Sequence, residues 1–138
     1  MPKLIKDRIT ISDGRISFDF KLREPITLVQ GDSSIEKTWF YNLYQKCAFE
    51  DNTVIFINWK DKDTVETLLK NVKDKIIVID NADIVLPDSL ALSFRKNKYN
   101  QYILFGMDTE KYGLGNRNIA SLYEVSPGKI ELEYMWGR

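Results

Sequence analysis

The chain has 138 residues, 43% hydrophobic and 29% charged, and its 20 Lys plus Arg are matched by 20 Asp plus Glu. This is enough chain for one globular domain, and zero net charge offers no global attraction to nucleic acid or anionic lipid. It contains no histidine, which excludes Ser-His and Cys-His nucleophile pairs and every His-ligated metal.

A single cysteine, Cys47, cannot form an intramolecular disulfide and suits a reducing compartment. Met1-Pro2-Lys3 is followed by no apolar run of signal-peptide length, and no run approaches a membrane span. A cytoplasmic protein is expected, one domain over 1–138, with neither membrane nor nucleic acid as partner.

In chain order, Arg8 to Phe20 reads as a hairpin. Asp13-Gly14 is a two-residue turn between alternating runs. That turn sets Ile11 opposite Ile16, Ile9 opposite Phe18 and Arg8 opposite Asp19. Four nearly continuous apolar runs follow, at Ile26–Val29, Val54–Ile57, Lys75–Ile79 and Tyr102–Phe105, as expected of strands buried on both faces of a parallel sheet. Between them lie three candidate helices. Glu36–Cys47 carries an apolar stripe of Trp39, Phe40, Leu43 and Tyr44. Asp63–Lys73, capped by Asp61 or Asp63, presents Val65, Leu68, Leu69 and Val72. A third follows Pro87, with Leu90, Leu92 and Phe94. Tyr112–Asn118 reads as a loop. Pro127-Gly128 turns a second hairpin, with Val125 opposite Ile130 and Tyr123 opposite Leu132. The expected fold class is α/β, a mostly parallel sheet with helices on both faces, plus N- and C-terminal β-hairpins.

The first buried strand runs directly into Gly31-Asp32-Ser33-Ser34-Ile35-Glu36-Lys37-Thr38 and then a helix. The spacing is that of the Walker A loop, with Glu36 where the second glycine belongs. Such a loop cradles phosphate oxygens with backbone N–H groups, while its lysine reaches the β- and γ-phosphates and its hydroxyl ligates magnesium. Lys75 to Asp83, K-I-I-V-I-D-N-A-D, reads as a Walker B strand ending at Asp80. Asn81 follows where hydrolytic members carry a glutamate, and an amide is no base; Asp83 lies further along.

Together these residues resemble the P-loop NTPase superfamily, with an AAA-like core, in its branch with an additional strand between the two Walker motifs. The resemblance covers roughly residues 26–108. It implies that Val54–Ile57 is the additional strand. It implies that Tyr102–Phe105 carries a sensor position at Gly106, Met107 or Asp108. It further implies that Gly31, Ser33, Ser34, Glu36, Lys37, Thr38 and Asp80 bind ATP or GTP, with Thr38 and Asp80 holding magnesium. With Asn81 and Asp83 the only candidates for catalysis, hydrolysis is expected to be weak or absent.

The same residues admit a second function. Ser33-x-x-Glu36 is a capping box, and Glu36 brings a carboxylate to the helix N-terminus, where a phosphate would sit. A nucleotide-free scaffold, serving a protein partner as an adaptor, is the alternative. Of the remaining candidates, Arg117 reads as a solvated loop arginine rather than a phosphate finger. The aromatic helix reads as core, with Tyr41 its most exposed member. Arg95, Lys96 and Lys98 complement a helix C-terminus, Cys47 is a buried thiol, and Trp136 packs or meets a partner.

Overall fold

The computed structural model describes residues 4–31 and 34–136, and from 34 and 35 only the backbone. Eight strands form one sheet: β1 Arg8–Ser12, β2 Ser17–Lys21, β3 Ile26–Gln30, β4 Val54–Ile57, β5 Ile76–Ile79, β6 Gln101–Phe105, β7 Ile119–Ser126 and β8 Lys129–Tyr134. Their spatial order is β1-β2-β8-β7-β3-β6-β5-β4. Strands β7, β3, β6, β5 and β4 run parallel. β1–β2 and β7–β8 are antiparallel hairpins, joined by a parallel β2–β8 pairing.

This corrects the expected fold class. The sheet is mixed, with half its strands supplied by the two hairpins, and it is not flanked by layers of helix. Among the described residues only α1, Ser34–Cys47, exceeds six residues. The others are α2 Val65–Leu69, α3 Ala82–Val85, α4 Asp88–Ser93 and α5 Thr109–Tyr112. The crossovers are broken into short helices, with left-handed backbone at Asn71 and Asn81 and Pro87 at the start of α4. In the stretch expected as helix 63–73, Val65 is buried but Leu68 is 46% exposed, and Asn71 takes a left-handed φ of 61°. Neither Asp61 nor Asp63 caps α2; its N-cap is Thr64, with no side-chain bond. Asp61 instead completes a capping box with Asn58 around the 3-10 turn Trp59–Asp61. Asn116–Asn118, expected as loop, forms a second such turn.

The sheet curls into a half-barrel. Lys6, leading into one edge strand, pairs with Asp51, leading into the other, at 3.5 Å. Helix α1 fills the concave side. Phe40 stacks on Phe20 with ring centroids 4.2 Å apart and meets Phe18, Tyr44 and Phe105. Its buried stripe is Lys37, Phe40, Tyr41, Leu43 and Tyr44, one face of a helix. Tyr41 is therefore buried rather than exposed, and Trp39 is turned partly outward, where its Nε1 donates to Asp13. Cys47 is exposed, not buried. On the opposite face α3, α4 and α5 pack on Leu28, Ile77, Ile79 and Leu104.

Both hairpins form with altered register. In the first, Ile11 faces Phe18 and Ile9 faces Phe20. Asp13 Oδ1 accepts the backbone N–H groups of Arg15 and Ile16, and this turn lengthens the loop by two residues. The shift is even, so the apolar face is preserved, and Arg8 still grips Asp19 from a diagonal position at 2.7–2.8 Å. In the second, Ser126 faces Lys129 as a two-residue turn requires, but a bulge at Val125 moves Ile130 opposite Glu124 and leaves Tyr123 and Val125 half exposed. No helix among the described residues is long and apolar enough to cross a membrane.

Candidate functional site

Parallel strands β3, β5 and β6 all deliver their C-terminal ends to one rim of the sheet, where open α/β sheets place ligands. β3 ends at Gln30 and leads into Gly31, whose φ of 150° is open to glycine and strained for other residues. Asp32 and Ser33 lie outside the described residues, as does the side chain of Ser34. The capping box expected of Ser33 and Glu36 therefore falls outside the description. α1 then begins, with Glu36 half-buried in its first turn.

Lys37 is buried at 9% exposure, and its Nζ donates to the Gly31 carbonyl at 3.0 Å. Thr38 Oγ1 donates to Asp80 Oδ2 at 3.1 Å. Residues 42 positions apart are thus joined across the rim. Asp80, 7% exposed, also accepts the Asn81 N–H through Oδ1. Burial pushes its carboxyl above the ordinary carboxylate value, and the Thr38 hydroxyl, the Asn81 amide and Lys37 only partly offset it. A cavity of about 210 Å³ opens beside them, lined by Lys37, Asp80, Asn81, Asp83, Ile84 and Met107, among others.

Thr38 and Asp80 present a hydroxyl and a carboxylate oxygen within one bond of each other, ligands that suit magnesium. Among the described residues no cluster of three or more acidic or Cys side chains could hold an ion unaided. Magnesium generally takes one or two protein oxygens and completes its shell from water and substrate phosphates, so this pair fits an ion that arrives with a nucleotide.

Asp83 has a different task. Its Oδ2 accepts the N–H groups of Met107 at 2.7 Å and Asp108 at 3.2 Å, and its Oδ1 accepts the Tyr112 hydroxyl at 2.5 Å. A Cβ on Gly106 would lie 2.5 Å from Oδ1, so the glycine admits this carboxylate against β6. Asp83 latches α3 to the tip of β6, with both of its carboxylate oxygens already accepting hydrogen bonds. Asp83→Ala is expected to cost about 1–3 kcal/mol of stability, because two backbone N–H groups and a phenol lose their acceptor; the urea midpoint measures it.

Other expectations are redistributed. Asn81 takes a left-handed conformation (φ 50°, ψ 46°) and starts α3. At the expected sensor position, Asp108 caps α5 by accepting from the Lys111 N–H, and the exposed Met107 lines the cavity instead. The strand standing between β3 and β5 is β6; Val54–Ile57 lies at the sheet edge. Arg117 sits at the opposite end of β3, against Trp136 at 4.5 Å and Glu24 at 4.0 Å, far from any phosphate at Lys37. Arg95 and Lys98 line a second cavity at that opposite end, with Pro25 and Asn118. In the sequence Met107 reads only as a sensor candidate, and Ile84, which also lines the cavity, is not singled out at all, because an apolar residue just past a strand end carries no local signal of a rim.

Asp80→Asn is expected to raise stability by roughly 0.5–2 kcal/mol, typical when a costly functional-site group is neutralised. A carboxyl whose folded pKa is raised burdens the fold above that pKa and is relieved as pH falls. The gain over wild type should therefore appear at neutral pH and shrink in acid, in thermal melts across pH. Comparison with protein-family models, curated proteins and solved structures finds no match for this chain.

Proposed function

We propose that this rim binds a magnesium–nucleoside triphosphate through Lys37, Thr38 and Asp80, and turns it over slowly or not at all. The Thr38–Asp80 bond beside a buried lysine carries the reading. Residues from the two motif-like segments meet with the chemistry that a phosphate and its cation need. The position of β6 between β3 and β5 supports it, since the resemblance calls for one strand between the motifs. Slow turnover rests on Asn81, an amide, and on Asp83, whose oxygens are already committed.

Calorimetric titration with a slowly hydrolysed ATP analogue and magnesium, with a GTP analogue in parallel, tests the proposal. Saturable binding supports it. No heat at millimolar ligand rejects it and favours the nucleotide-free scaffold. That second reading has its own observation: Trp59, Ile84 and Met107 expose apolar side chains at this end of the sheet, at 64%, 63% and 53%, the chemistry of a protein contact. Because Asp80 holds its proton more tightly than an ordinary carboxylate, magnesium binding should release protons and weaken in acid.

A further inference from the structure

Strand β1 ends the sheet. The rungs Leu22 N–H to Asp7 C=O (2.7 Å) and Asp13 N–H to Ile16 C=O (3.2 Å) set its alternation. In that antiparallel ladder Ile9 and Ile11 spend their backbone groups on β2, whereas those of Arg8, Thr10 and Ser12 point outward. Beside them opens a cavity of about 430 Å³, walled by Ile9, Thr10 and Ile11 on one side and Tyr44, Cys47 and Ala48 on the other. No strand among the described residues covers this edge. Edge strands are usually protected by proline, a bulge or charge. β1 has no proline and no bulge, and its one charge, Arg8, is held by Asp19.

We propose that β1 is a dimerisation strand, pairing antiparallel with β1 of a second copy about a two-fold axis at Thr10. About Thr10 the strand Arg8-Ile9-Thr10-Ile11-Ser12 is self-complementary, setting Ile against Ile and the long Arg8 against the short Ser12, as an isologous contact requires. The axis sets Thr10 opposite its copy, Ile9 opposite Ile11 on the concave face and Arg8 opposite Ser12. The outward groups of Arg8, Thr10 and Ser12 then form six backbone hydrogen bonds. The like-charged pair in this register is Asp7 opposite Asp13, at both open ends, so added salt should tighten the dimer.

Sedimentation equilibrium from micromolar to millimolar protein tests this. The mass should rise from 16.1 kDa towards twice that value. Thr10→Pro removes an N–H that its own sheet does not use, so it should stay monomeric with an unchanged circular dichroism spectrum. A wild-type protein that stays monomeric, or a folded Thr10→Pro that dimerises equally, overturns the proposal. Should Thr10→Pro not fold, register is read by crosslinking in a Cys47→Ala background. Thr10→Cys should oxidise to a covalent dimer, and Ser12→Cys, which faces Arg8, should not. Equal crosslinking of the two, or none with Thr10→Cys, also overturns it.

Discussion

Lys37→Ala is expected to weaken binding of the magnesium–ATP analogue by at least roughly 100-fold, or about 2.7 kcal/mol. The ammonium is buried and spends one bond on the Gly31 carbonyl, so it is already held beside the end of β3. Reaching a phosphate exchanges a neutral acceptor for a charged one in a water-poor site, where a charge-assisted bond is worth about twice a neutral one. Alanine removes that cation from beside Asp80, and a triphosphate would then meet a carboxylate without compensation. Calorimetry compares the variant with wild type under one buffer and one magnesium concentration. Equal affinities would place the nucleotide, if one binds, elsewhere on the molecule. Lys37→Met retains the packing of the stem and separates lost charge from lost volume.

Phe40→Ala should destabilise the fold by about 3–5 kcal/mol, the usual cost of deleting a buried aromatic ring. Its ring is fully buried and touches Phe18, Phe20, Tyr44 and Phe105. It therefore joins β2, β6 and α1 in a single cluster, and little of the cavity can close when it is lost. Domains of this size have about 5–15 kcal/mol in total, so the variant should show a sharply lower urea midpoint. The same helix carries Lys37 and Thr38, which makes concave-face packing the support of the site. A loss below about 1 kcal/mol would mean that α1 is not anchored as described.

Several features were legible in the residues because local chemistry dictates them. The four apolar runs became β3, β4, β5 and β6 within a residue of their expected ends, since a continuous β-branched run has few other ways to be buried. Glycine, lysine, threonine and aspartate at motif spacing pointed to the rim that the fold assembles. The absence of histidine closed off whole classes of chemistry without any structure.

Other features depend on groups distant in sequence, and only tertiary structure decided them. Asp83 reads as a spare acid until the tip of β6 supplies two N–H groups and Tyr112 adds a hydroxyl. The N-terminal register moved because the Asp13 carboxylate captured two backbone amides and enlarged the turn. The stripe of α1 kept Phe40, Leu43 and Tyr44 but gained Tyr41 and lost Trp39, because a curled sheet surrounds Tyr41 as well as Phe40. The pairing of β2 with β8 that joins both hairpins to the one sheet is a contact between opposite ends of the chain. Propensity and periodicity report on neighbours a few residues apart, so they determined the strands, the long helix and the motif residues. Which strands meet, how far the sheet bends and which carboxylate is already committed were decided by the packed fold.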